Sequence, residues 1–180
     1  MKHMRVVKII IFVLLLVALY GCGGGSGTDT AGNGLPGGAG AGGGGTGGGG
    51  ATGSSYPAAA EECVQLINQY RASIGLSPYE RWSDAEACAD GEAKKDAEMN
   101  KPHGSFGSCG EWAQNTCPGW PGTPEGIIGP CLQAMWDEGP GSDFSKHGHY
   151  INMSSTNYTR VACGFYVTPA GRVWTVQDFK

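Results

Sequence analysis

Between Gly23 and Ser55 the chain is mostly glycine, with Ala, Thr and Ser and a single Pro and Asp. Such a tract has almost nothing to bury, and ordering glycine costs more backbone entropy than ordering any other residue. It therefore reads as a flexible linker over residues 22–55, with a root-mean-square reach of roughly 30 Å. What can fold is confined to residues 56–180, about 125 residues from Tyr56 to Lys180. That length supports one domain with a sizeable core.

Upstream of the tract, Met1–Lys8 carries Lys2, Arg5 and Lys8, and Ile9–Leu19 is an unbroken apolar run. Eleven apolar residues, Ile9 to Leu19, are too short for a stable membrane span but fit the core of an export signal. Leu19-Tyr20-Gly21-Cys22 resembles a bacterial lipobox, with residues 1–21 as signal peptide and Cys22 as the lipidated first residue. An ordinary secretory signal cut near Gly21 is the alternative, and it leaves Cys22 a free thiol. The lipidated reading accounts for the odd cysteine and places the domain outside the cytoplasm, anchored by lipid in the cell envelope. Gly23 after Cys22 points to an outer membrane where there is one. Setting aside the three signal cations leaves nine basic against sixteen acidic side chains, near −7. Nothing resembles a basic patch, which argues against a nucleic-acid partner.

Six cysteines remain in the folding region: Cys63, Cys88, Cys109, Cys117, Cys131 and Cys163. In an exported domain this implies up to three disulfides, with fifteen possible connectivities. Cys109 and Cys117 are suited to closing a small loop, and Cys163, inside an apparent strand, to long-range pairing. Cys63, Leu66, Ile67, Tyr70 and Ile74 recur at the spacing of one buried helix face, with Gly75 at the stop. Asn68 and Arg71 are placed on the other face, as solvated surface or as a cap or ion pair. Ser83 and Glu86 read as a capping box opening a helix to about Asn100, whose Ala85, Cys88, Ala89, Ala93 and Ala97 form a narrow face. Gly107–Pro130 reads as irregular, followed by a short helix from about Glu125 or Pro130 to Glu138. Lys146–Met153 shows polar residues and then an apolar alternation. Tyr158–Thr168 and Arg172–Phe179 read as a β-hairpin turning at Pro169-Ala170-Gly171.

The residues with chemistry to offer lie between His103 and Met153: His103, Glu111, Glu138 and His149. Asp137 is the rival of Glu138, and His147 is read as surface or loop. Ser105 beside His103 lacks a positioned third member for a nucleophilic triad. Two imidazoles, His103 and His149, are the candidate metal ligands, with Zn²⁺ the ion such a set suits.

Taken together, Asn68-Gln69-Tyr70-Arg71, the Gly75–Pro78 turn before Trp82, His103-Gly104-Ser105, Gly110-Glu111, Trp136-Asp137-Glu138, Gly148-His149-Tyr150 through Met153, Ala162-Cys163-Gly164 and Val173–Phe179 resemble the CAP superfamily. That family comprises cysteine-rich secretory proteins, insect antigen 5 and plant pathogenesis-related proteins of the first class, and the resemblance covers Glu62–Lys180. It implies an α+β fold, a three-layer α-β-α sandwich with a small, mostly antiparallel sheet. It also implies a cavity presenting His103, Glu111, Glu138 and His149. The chain departs from the family where Trp112 follows Gly110-Glu111 in place of asparagine, and where Glu138 follows Trp136 at a short spacing. The leading expectation is a non-enzymatic binding module for lipid, sterol or envelope glycan, with Trp112 and Trp120 offering aromatic faces. A metal-dependent hydrolase or peptidase on the same residues, and an adhesion domain with a vestigial cavity, are the alternatives.

Overall fold

The computed structural model describes residues 53–180; the stretch read as a signal peptide, Cys22 and most of the tract read as a linker lie outside the described residues. Helix α1 runs Pro57–Ser73, and strand β1 is Glu80–Arg81. Helix α2 spans Ser83–Met99, strand β2 Ala113–Pro121, helix α3 Pro124–Trp136 and helix α4 Phe144–Ser154. Strands β3 (Arg160–Val167) and β4 (Arg172–Phe179) close the chain. No helix among the described residues is long and apolar enough to cross a membrane.

The strands form one sheet in the order β1-β3-β4-β2. The short β1 pairs parallel with β3, while β3–β4 and β4–β2 are antiparallel. Alternation along each strand sends side chains to two faces. One face packs Val161, Cys163, Phe165, Val173 and Phe179 under α1 and α3, with Ile67, Ile128 and Leu132. The other packs Ala162, Trp174 and Val176 under the small residues Ala85, Ala89 and Ala93 of α2. Helices therefore cover both faces of a small, mostly antiparallel sheet, the α+β layering that the resemblance implies. The predicted hairpin is present as β3 and β4.

Several local expectations give way. Cys109 pairs with Cys88 and Cys117 with Cys131, so no Cys109–Cys117 loop exists; Cys63 bonds Cys163 at long range. Ser83 does not cap α2 through its side chain. Glu86 turns back instead to Arg81, accepting from Nε at 2.6 Å and Nη2 at 3.0 Å, a two-pronged ion pair that outcompetes a single backbone bond. The segment read as irregular holds β2, whose ladder shifts register between Cys117 and Trp120. Pro118 and Gly119 sit in that irregularity on an edge strand, where proline and a left-handed glycine are tolerated. Lys146–Met153 is helical, opened by Asp143, whose side chain accepts from Ser145 N. Helix α3 begins at Pro124, capped by Thr123, and carries Pro130 inside it.

Candidate functional site

A cavity of about 570 Å³ opens between the end of α2, the start of β2, the turn after α3, and α4. His103, Gln114, Glu138 and His149 line it, and the side chains of Phe106, Trp112 and Phe144 stand around it.

His103 lies three residues beyond Asn100, the left-handed C-cap of α2, and itself adopts a positive φ of 59°. The loop that follows is held by carboxylates. Ser105 N donates to Asp96 Oδ1 at 2.8 Å, and Ser108 N to Glu92 Oε1 at 3.0 Å. Glu111 accepts from Gly107 N, and from Cys109 N at 3.0 Å. The Cys88–Cys109 bond ties the same loop to α2. His103 Nδ1 lies 3.0 Å from Gln114 Oε1.

His149 comes from the middle of α4. Its Nδ1 is 2.5 Å from Glu138 Oε1, and its backbone N–H donates to Glu138 Oε2 at 2.9 Å. Beneath it, Asn115 Nδ2 donates to His149 O at 3.1 Å, and Asn152 Nδ2 to Asn115 Oδ1 at 2.9 Å. Two buried amides thus fix α4 against β2.

Of the residues singled out in the sequence, His103, Glu138 and His149 meet at the cavity. Glu111 is not among its lining residues: it sits behind the loop, beside Glu92 and Asp178. Asp137 turns away and accepts from Gln133 Nε2 at 2.6 Å. His147 Nδ1 donates to the carbonyls of Glu138 and Gly139, at 2.7 and 3.0 Å, bracing the turn that carries Glu138. Ser105 is buried, and its Oγ is without a partner among the described residues. Trp112 is 62% exposed at the cavity, whereas Trp120 packs against the core. Sequence reasoning passed over Gln114, Asn115 and Asn152. The roles of Gln114 and Asn115 depend on the register of β2, where a polar run entering a cysteine-bearing strand is the trace they leave, and that of Asn152 on the packing of α4 against that strand.

Behind the cavity lies a second group. Glu92, Cys109, Glu111 and Asp178 place potential ligand atoms within 4.8 Å of one another. The sulfur of Cys109 is committed to a disulfide, so the carboxylates are the part of this group able to hold a metal ion. Burial, and then the neighbouring charge of Glu111, pushes the Glu92 carboxyl up to about 7. Burial and the charge of Glu92 likewise hold Asp178 well above the usual carboxylate range.

The cysteine-rich secretory protein family, CAP, matches residues 64–179. The chain belongs to this family. Among solved structures, this CAP domain is similar to Na-ASP-1, at 15% identity and a TM-score of 0.48 over 67% of this chain and 38% of that one. The hookworm platelet inhibitor aligns at 18% identity and a TM-score of 0.45, over 67% of each chain. Schistosoma mansoni venom allergen-like protein 4 aligns at 14% identity and a TM-score of 0.44, over 68% of this chain and 87% of that one. No curated protein matches the sequence. The three disulfides of this CAP domain fit an oxidising compartment.

Proposed function

We propose that this CAP domain is an extracytoplasmic binding module, tethered to a membrane by a lipid on Cys22, that receives its ligand at the cavity of His103 and His149 with a divalent metal such as Zn²⁺. The observation that carries the reading is the Glu138–His149 pair. With Nδ1 of His149 engaged by a carboxylate at 2.5 Å, Nε2 is left as the nitrogen free to ligate. A carboxylate on the far ring nitrogen is the usual companion of a metal-bound histidine. His103 lines the same cavity and supplies a second imidazole. Two histidines would leave further positions of a four-coordinate zinc open to water or ligand, where the ion supplies Lewis acidity. The half-exposed or more exposed rings of Phe106, Trp112 and Phe144 suit a ligand with apolar ring faces, such as an envelope glycan, a lipid or a sterol.

The test is a zinc titration by calorimetry on the mature chain, comparing wild type with His103→Ala/His149→Ala. Stoichiometric binding lost in the double variant supports the reading. A folded, disulfide-intact wild type that takes up no zinc sinks it and favours an interaction domain with a vestigial cavity. Turnover of a peptide or ester that EDTA removes and zinc restores would move the assignment to a hydrolase.

A further inference from the structure

Gln114 sits between the cavity and the buried acids behind it. Its Nε2 donates to Glu92 Oε2 at 2.7 Å and to Asp178 Oδ1 at 3.0 Å. Its Oε1 is 3.0 Å from His103 Nδ1. Three elements converge here. Gln114 and Asp178 are cross-strand partners on β2 and β4, and Glu92 reaches down from α2 onto the same sheet face. All three side chains are buried, with little room to turn.

The chemistry of the amide then decides the chemistry of the histidine. An amide nitrogen carries two hydrogens, and the two carboxyl contacts use both. Glu92 and Asp178 also hydrogen-bond each other, which engages the proton the pair retains, so turning the amide over would set its oxygen against acceptors and lose both bonds in a buried site. The acids therefore dictate that Oε1 faces the cavity. A carbonyl oxygen only accepts, so the hydrogen of a neutral His103 must reside on Nδ1. Its lone pair is then on Nε2.

We propose that Gln114 is a positioning residue that holds His103 in its Nδ1–H tautomer, with Glu92 and Asp178 fixing the amide, so that Nε2 is the nitrogen His103 offers to a ligand. The cavity's two histidines are thus set by different partners: Glu138 for His149 and a neutral amide for His103. The metal-affinity consequence rests on the proposed metal-binding reading; the tautomer does not.

The experiment uses the mature chain with ¹⁵N-labelled histidine. Long-range ¹H–¹⁵N correlation at about pH 8, above the ordinary imidazole range, reads which ring nitrogen carries the proton. The His103 signals are assigned by their loss in His103→Ala. Wild type is expected to show His103 protonated at Nδ1. Gln114→Met is expected to abolish that single tautomer, while the His149 signals, held by Glu138, stay put as a check on folding. Zinc affinity by calorimetry is expected to fall about 10- to 100-fold in the same variant, the usual loss when an outer partner of a metal-bound histidine is removed. A wild-type His103 protonated at Nε2 overturns the proposal, and that reading needs no variant to fold. An unchanged His103 tautomer in Gln114→Met also overturns it. A tautomer change in a chain that binds no zinc supports the positioning role while removing the metal reading.

Discussion

Arg71 shows how a residue's role can invert between sequence and structure. It stands one turn beyond Ile67 on α1, which puts it toward the buried side, and it is 3% exposed. Nε donates to Ser77 O at 2.8 Å, and Nη1 to Met153 O and Ser155 O, both at 2.8 Å. Its carbon stacks 3.5 Å from the centre of the Tyr79 ring. One side chain thus closes the turn after α1 and pins the end of α4. Asn68 does similar work, exchanging two hydrogen bonds with the backbone of Tyr79. Neither is solvated surface: the loop carbonyls needed donors, and periodicity does not report that need. Arg71→Ala leaves those carbonyls unpaired and is expected to cost about 3 kcal/mol or more in urea unfolding, since each stranded buried group costs about 1–3 kcal/mol. A loss below about 1 kcal/mol would mean that water replaces the guanidinium without penalty. Glu92 supports a prediction in pH. Its carboxyl is raised from its ordinary 4.5 to about 7, so between these values the folded chain holds a proton that the unfolded chain has released. Stability contributed this way is present below 4.5 and is lost as pH rises through about 7. Thermal melts across that window should fall more steeply for wild type than for Glu92→Gln. Parallel curves would show that Glu92 does not hold the proton.

At the scale of elements, helix α2 and strand β3 meet without a spacer. A Cβ on Gly164 would lie 2.1 Å from the carbonyl carbon of Ala89 and 2.4 Å from its oxygen. Both are backbone atoms, which cannot swing aside as a flexible side chain does. Gly164→Ala is therefore expected to cost about 3 kcal/mol, the upper end of ordinary overpacking. Gly91, also on α2, has nothing within 4 Å of a built Cβ. Gly91→Ala is expected to stabilise by up to about 1 kcal/mol through helix propensity alone. Chemical denaturation of the two variants should move in opposite directions; movement in the same direction would refute the close-packing account. The small-residue face of α2 was legible because Ala recurs at helical spacing, and the β3–β4 hairpin because apolar and polar residues alternate around a Pro-Ala-Gly turn. Strand β2 was hidden because its pairing is interrupted at Pro118 and Gly119, and its alternation ends there. Helix α4 was hidden because Gly148 and two histidines dilute its apolar stripe; its Asp143 cap was the signal to weigh. The site follows the same division. His103, Glu138 and His149 sit in local motifs that resemblance can carry. Gln114 matters only because the β2–β4 register sets it opposite Asp178.

Across the whole molecule, the cysteines fix which layers are joined. Their number was readable in the sequence, but their pairing depends on the faces of the sheet. Cys117 faces α3 and bonds Cys131, whereas Cys109 lies in the loop tied to α2, so two cysteines with only seven residues between them take partners on opposite sides of the sheet. Cys63–Cys163 joins α1 to the central strand β3 and encloses a separation of 100 residues, against 21 and 14 for the other two bonds. A cross-link stabilises chiefly by restricting the unfolded chain, and its contribution grows with the logarithm of the loop. That scaling gives about 4.7 kcal/mol for the long loop and about 3 kcal/mol for each short one. The short bonds act locally as well: Cys88–Cys109 holds the loop that follows His103. Two measurements should therefore separate. Cys63→Ala/Cys163→Ala is expected to lower unfolding stability most. Cys88→Ala/Cys109→Ala is expected to lower it less, yet, on the proposed metal-binding reading, to weaken zinc binding at the cavity by loosening the loop that carries His103. Urea unfolding and zinc calorimetry on the two double variants test both statements. Equal losses of stability would show that native-state packing at each bond outweighs loop length. Unaltered zinc affinity in the Cys88/Cys109 variant would show that the carboxylate bonds of Asp96, Glu92 and Glu111 suffice to hold the loop.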